Sequence, residues 1–183
     1  MIAIDFLNTR RGGKLGEADA TERLTSFEAV ASWAAVAGLL SKGDASVSGA
    51  TQPHYELALD LRADFQNVLL SRTPAARRKL LKTLNLALSS KGAFIAALES
   101  RGEFRFGVQF REPNPSNVSF AIANAILECL RDTPLDSIKQ CEAADCIWFF
   151  VDTTKNRSRR WCVGQGCGAR SRSRKHYHLS KVR

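Results

Sequence analysis

Apolar residues recur every three or four positions through much of the N-terminal part of the chain, as they do on one face of an α-helix. The runs predict four helices, which begin near Thr25, Pro53, Thr73 and Pro115. Glu28 completes a capping-box spacing with Thr25, and Pro74 follows Thr73 at the first helical position, where proline is favoured. Residues 3–9 form a short apolar element ahead of these helices, and residues 10–16 are predicted to be a loop.

The spacing changes after the third helix. Phe104, Phe106, Val108 and Phe110 alternate with polar or small residues, which is typical of a strand with one apolar face. Residues 93–98 are a second candidate strand, joined to the first by a turn at 100–102. The expected fold class is therefore α+β. It consists of a helix-rich domain over residues 1–134 with a small antiparallel sheet, followed by a small cysteine-rich module over residues 135–183.

Four of the five cysteines, Cys141, Cys146, Cys162 and Cys167, form two C-x4-C pairs separated by fifteen residues. Four thiolates can complete a tetrahedral shell around Zn²⁺, and such a short segment needs metal binding to supply its folding free energy. The spacing predicts one structural zinc ion without an open position for substrate. Unmetallated core cysteines remain an alternative, and His176 or His178 could complete a mixed site. The fifth cysteine, Cys129, is predicted to be buried and inert on an apolar helix face.

The excess positive charge lies at the C-terminal end of the chain. Residues 155–183 contain ten basic and no acidic residues, whereas residues 1–154 contain 17 basic and 18 acidic ones. Such a block indicates contact with a polyanion, or else a solvated tail. Residues 169–181 contain few helix breakers and predict a basic helix. The candidate DNA contacts are Arg157, Arg159, Arg160, Arg170, Arg172, Arg174, Lys175 and Lys181. Among them, the arginines of the predicted helix are candidates for bidentate contacts with guanine.

Several function classes are disfavoured. No run of eighteen apolar residues exists, so a membrane helix is not expected, and the acid at position 5 argues against a secretory signal. The protein is expected in the cytoplasm, where reduced thiols favour metal over disulfides. It is not expected to be an enzyme. His54 has no nucleophile at motif spacing, and the glycines at 164–168 lack the lysine of a phosphate-binding loop.

Residues 141–170 resemble the CGNR-type zinc finger, named for a Cys-Gly-Asn-Arg motif. Residues 4–9, Ser32-Trp33 with Gly38 to Leu40, and Leu61-Arg62 are similar to the ABATE domain that usually precedes this finger. The resemblance spans nearly the whole chain. It implies a bacterial stress-response transcription regulator that binds DNA through the finger. One departure concerns Ala169, which stands at the position of the family's Asn and cannot cap a helix or hold a loop through an amide.

Two further hypotheses concern the helical domain and the thiols. Asp5, Asn8, Trp33 and Arg62 lie in apolar elements and could meet in the pocket of a small-molecule effector, or they could form structural caps and a salt bridge. Zinc thiolates near cations are oxidisable, so the protein could instead be a redox sensor in which the zinc module is otherwise purely structural. A homodimer would suit a palindromic DNA site, although no coiled-coil pattern is present.

Overall fold

The computed structural model describes residues 1–11, 21–45, 48–89, 92–100 and 103–181. These residues form two compact units. One unit combines Met1–Arg23 with Leu130–Arg183, and the other is Leu24–Cys129. The first residues of the chain thus pack with the last third, so the compact units do not follow chain order. The division into domains at residues 1–134 and 135–183 stays a prediction.

Helices dominate the described residues. They are α1 Ile2–Leu7, α2 Phe27–Val36, α3 Lys42–Ala45, α4 Gln52–Ser71, α5 Pro74–Leu88, α6 Pro115–Asp132 and α7 Ala169–Lys181. The strands are β1 Arg10–Arg11, β2 Thr21–Glu22, β3 Ala93–Ser100, β4 Glu103–Phe110, β5 Ile138–Gln140 and β6 Phe149–Val151. The strands pair in sequence order as two-stranded antiparallel sheets. The predicted helix-rich α+β class is confirmed.

The core of the Leu24–Cys129 unit forms where α4 packs against α5. Leu61, Phe65 and Val68 on α4 and Leu80 and Leu84 on α5 are almost completely buried, at the three- and four-residue spacing that predicted both helices. Burying a side chain of this size contributes about 1.5–3 kcal/mol relative to leaving it exposed. The apolar stripe of each helix therefore stabilises this unit.

The predicted N-cap residue is confirmed for α5, whereas the N-cap of α2 lies one residue after the predicted position. The Thr73 hydroxyl accepts a hydrogen bond from the backbone N–H of Ala76 at 3.2 Å, as expected of an N-cap. The prediction that Thr25 caps α2 is wrong by one residue. Ser26 adopts the extended N-cap conformation and accepts from Ala29 N at 3.3 Å. Both residue types can cap, and the backbone position decides between neighbours.

The predicted hairpin is confirmed as β3 and β4, with Ala93 opposite Phe110 and Ala97 opposite Phe106. Its turn residues 101 and 102 lie outside the described residues. Phe110 packs edge-on against Phe120 of α6, with ring centroids 5.8 Å apart. This contact fixes the base of the hairpin to the helical core. Across the described residues, no helix is both long enough and apolar enough to traverse a bilayer.

Candidate metal centre and nucleic-acid interface

The four predicted ligands converge. The sulfur atoms of Cys141, Cys146, Cys162 and Cys167 all lie within 4.8 Å of one another. Cys162 Sγ lies 3.8 Å from Cys146 Sγ and 3.6 Å from Cys167 Sγ. A tetrahedral ion with bonds of roughly 2.3 Å requires sulfur atoms about 3.8 Å apart. The cluster therefore fits one zinc ion in number, chemistry and spacing.

Short backbone turns bring the two cysteine pairs together. Cys141 follows β5 directly, and its N–H donates to the Trp148 carbonyl at 2.8 Å. Cys146 N donates to Ala143 O at 3.1 Å, which closes the loop of the first pair. Cys162 N then points at Cys141 Sγ from 3.5 Å, linking the two pairs. Donation of this kind to sulfur favours the thiolate form, which is the form that binds zinc.

The glycines around Cys167 contribute space rather than unusual backbone angles. Residues Gly164–Gly168 form a single π-helical turn, closed by a 3.1 Å bond from Gly168 N to Val163 O. None of its glycines is among those with a positive φ. A Cβ at Gly168 would lie 3.3 Å from both Trp161 Cε3 and Arg172 Nη1. Gly168 therefore permits the close approach of an aromatic ring and a guanidinium, a role that was not predicted from the sequence.

The protonation state of the four thiols depends on whether a cation is bound among them. Burial raises the pKa of Cys146 to about 11, and it also raises the pKa of Cys162. Thiolates this close also repel one another, so they cannot all ionise without a cation among them. A divalent metal reverses this preference, and its binding would release protons. An open cleft of about 390 Å³, lined partly by Cys146, Cys162 and Cys167, gives an ion access to the site.

The start of the chain completes this unit. Asn8 Nδ2 donates to Phe149 O at 2.9 Å, and Phe149 N donates to Asn8 Oδ1 at 2.8 Å. The Trp148 indole N–H donates to Arg10 O at 3.0 Å. These contacts join Asn8 and Arg10 to Phe149 and Trp148, about 140 positions later, in the segment between the two cysteine pairs. No local sequence pattern indicated that Asn8 and Arg10 would form hydrogen bonds with the cysteine-rich module.

Residues 152–159, which we call the Asp152 loop, are organised by one buried carboxylate. Asp152 accepts hydrogen bonds from Lys139 Nζ at 2.7 Å, the Thr154 hydroxyl at 2.6 Å, Thr154 N at 3.0 Å and Arg159 N at 2.9 Å. Burial alone would raise the pKa of Asp152, but these four donors outweigh it and hold the pKa well below its usual range. Asp152 is not among the functional residues predicted from the sequence. The sequence feature that could have indicated its role is an acidic residue that directly follows the apolar, β-prone residues 147–151.

Among the side chains that the structure describes, four of the predicted DNA-contacting residues form ion pairs within the unit. Arg157 pairs with Asp136, Arg160 with Glu142, and Arg170 and Arg174 both pair with Asp145. Arg170 Nε and Arg174 Nη2 lie 3.2 Å and 3.1 Å from the same Asp145 oxygen. Arg170 Nη2 also lies 3.3 Å from Cys167 Sγ, so the start of α7 is tied to the metal centre.

The other four predicted contact residues are Arg159, Arg172, Lys175 and Lys181. Arg159 is half-buried, stacks over Phe150 at 4.7 Å and donates to Trp161 O at 2.9 Å, which is a structural role. The Arg172 guanidinium lies 6.0 Å from the centre of the Trp161 ring. Lys175 and Lys181 belong to α7, but their side chains lie outside the described part of the chain, as do those of His176 and His178.

The residues of the hypothetical ligand pocket belong to different units. Asp5 lies 3.4 Å from the terminal amino group, and Asn8 is used by the Phe149 backbone. Trp33 and the buried Arg62 belong to the Leu24–Cys129 unit, so a joint pocket stays a prediction. Cys129 is buried, as expected of an inert thiol.

A four-cysteine cluster that closes two short turns and leads into a basic helix defines the class of structural zinc fingers. Residues 137–178 match the model of the CGNR zinc finger. Residues 1–133 match the ABATE family, whose description is "Putative stress-induced transcription regulator". Because this match covers most of the chain, the protein belongs to the ABATE family. No curated protein matches the chain.

Proposed function

We propose that the protein is a transcription regulator that binds duplex DNA through its zinc-containing unit. The observation that carries this proposal is the charge around the metal centre. Residues 135–183 contain eleven basic and four acidic residues, a net charge of +7. A zinc ion with four thiolates adds −2, which leaves a strongly cationic module. Such a module attracts phosphate by a term that does not depend on sequence.

The internal ion pairs are compatible with this function because they are exposed. The side chains of Arg157, Arg160, Arg170 and Arg174 retain 44–61% of their exposure. Exposed ion pairs contribute only about 0–1 kcal/mol each. A DNA phosphate can therefore take the place of a carboxylate at little cost, and guanidinium groups suit bidentate contact with either anion.

Duplex binding is tested by fluorescence anisotropy with a labelled DNA of about three helical turns, measured across a salt series on zinc-loaded protein. If five cations contact phosphate, the slope of log K against log salt is about −4.5, and a fourfold rise in salt weakens binding about 500-fold. Cys141→Ala, which removes one zinc ligand, should abolish binding together with bound metal.

The matched control is Lys82→Ala, which removes one exposed cation from α5 of the other unit. It should leave both the affinity and the salt slope unchanged. Weak binding that is flat across the salt series contradicts the proposal. So does full binding by metal-free Cys141→Ala protein.

We also propose that the Leu24–Cys129 unit supplies the regulatory input, as an effector sensor or a dimerisation surface. The family description supports a regulator, and no enzymatic activity is proposed. A ligand that binds the folded protein raises its melting temperature, so a panel of metabolites in a thermal shift assay tests the sensor role. Sedimentation in the presence and absence of DNA tests dimerisation.

A further inference from the structure

The Asp152 loop is exposed but internally fixed. Residues 153–158 are all exposed, yet the backbone is held at both ends by the buried Asp152 carboxylate. Ser158 N donates to the Thr154 hydroxyl oxygen at 3.2 Å, and Arg157 N donates to Thr154 O at 3.0 Å. Hydrogen bonds between residues 152 and 159 therefore close the loop. A surface loop fixed in this way presents its tip residues in one conformation.

The backbone is also constrained at the tip of the loop, which we define as residues 155–157. Arg157 has a φ of +45°, a left-handed conformation that is uncommon for residues other than glycine. Lys139 Nζ bonds the Arg157 carbonyl while also bonding Asp152, and Asp136 holds the Arg157 guanidinium. Backbone conformations of this kind persist where the surroundings impose them, often at ligand-contacting sites.

Two side chains at the tip are left available. Lys155 and Asn156 are exposed and have no hydrogen-bond or ion-pair partner among the described residues. The carboxamide of asparagine can donate to and accept from an adenine edge in the major groove at the same time. The ammonium group of lysine binds phosphate as a point charge. The loop thus presents one group suited to a base edge beside one suited to the DNA backbone.

We propose that the Asp152 loop is a second DNA-contacting element besides α7, in which Asn156 reads a base edge and Lys155 contacts a phosphate. Asp152 is its positioning residue. This inference rests on the proposed duplex binding. The proposed base-reading residue, Asn156, lies before the second cysteine pair. Position 169, immediately after Gly168, holds an alanine, which has no side-chain amide to read a base.

The test first selects preferred sites from a randomised duplex pool with zinc-loaded wild-type protein. Affinities are then measured for the preferred duplex and for each single base-pair substitution, over a range of salt concentrations. Asn156→Ala should lose discrimination at one base pair by about fivefold to a hundredfold, with an unchanged salt slope. Lys155→Ala should reduce the salt slope by about 0.9 with an unchanged base preference.

The matched controls are Asn85→Ala and Lys82→Ala on α5, which remove the same groups from exposed positions of the other unit. Zinc content and melting temperature confirm that each variant is folded. Wild-type binding without any base preference overturns the assignment to Asn156. Variants that match wild type in both readouts overturn the loop proposal while duplex binding stands. A wild-type protein without salt-dependent binding overturns both.

Discussion

Replacing Asn8 with alanine should destabilise the zinc-containing unit, although Asn8 lies more than 130 residues before the first zinc ligand. Its carboxamide is the partner of both backbone groups of Phe149, with bonds of 2.9 Å and 2.8 Å. Alanine removes both partners and leaves a donor and an acceptor of β6 unpaired. The segment between the two cysteine pairs then loses one of its attachments to the start of the chain, while the Trp148 indole bond to Arg10 O stays in place.

The size of the effect follows from the exposure of these groups. A buried polar group that loses its partner costs about 1–3 kcal/mol. Asn8 is half-buried and Phe149 is buried, so water can reach only part of the site. Leaving both the N–H and the carbonyl of Phe149 unpaired, each at a cost near the lower end of that range, should lower the free energy of unfolding by about 2–3 kcal/mol. Asn8→Asp should fall between alanine and wild type, because the carboxylate still accepts from Phe149 N but repels its carbonyl.

The assay is urea denaturation of zinc-loaded protein, followed by tryptophan fluorescence, because Trp148 and Trp161 both pack against the cysteine cluster. Asn85→Ala on α5 is the control, since replacing an exposed asparagine that has no partner among the described residues should change the stability by less than about 0.5 kcal/mol. An Asn8→Ala protein as stable as this control would refute the structural role.

Three further outcomes are expected. Cys141→Ser should reduce bound zinc from about one ion per chain to nearly none in elemental analysis, because three thiolates do not close the shell. Asp145→Asn should strengthen duplex binding by up to about fivefold and steepen its salt dependence in anisotropy titrations, because it frees two arginines from an exposed ion pair. Gly168→Ala should lower stability by about 1 kcal/mol in thermal denaturation with excess zinc, because its Cβ would crowd Trp161, whose ring is only partly buried and can shift slightly. A variant that matches wild type in any of these measurements contradicts the corresponding contact.

Elements with local signals could be predicted from the sequence. The start of α5 at Thr73 and Pro74 and the span of α7 at Ala169–Lys181 were both predicted and are confirmed. The helical state of residues 2–7 could not be predicted, because six residues carry too little periodicity to separate helix from strand. Its packing with the C-terminal segment had no local signal at all, since Asn8 and Phe149 are 141 positions apart.

The metal site could be predicted because ligand spacing is a local property. The four cysteines converge as the two C-x4-C pairs indicated. The contacts that the basic residues form could not be predicted in the same way. Whether an arginine is free, stacked or paired depends on which acids the fold brings near it. Arg159, for example, stacks on Phe150 and donates hydrogen bonds to backbone carbonyls within the unit, and its DNA contact stays a prediction.

The acids before the basic block change how its charge acts on a partner. Along the chain, Asp136, Glu142 and Asp145 precede the block, but folding places each of them against an arginine of that block. Phosphate must then compete with a carboxylate at these positions, which weakens binding to any isolated anion. A duplex presents many phosphates at fixed spacing and can replace several carboxylates at once. Pairing of this kind therefore disfavours single anions more than a regular polyanion, because the cost at each site is small and the gains from a duplex add up.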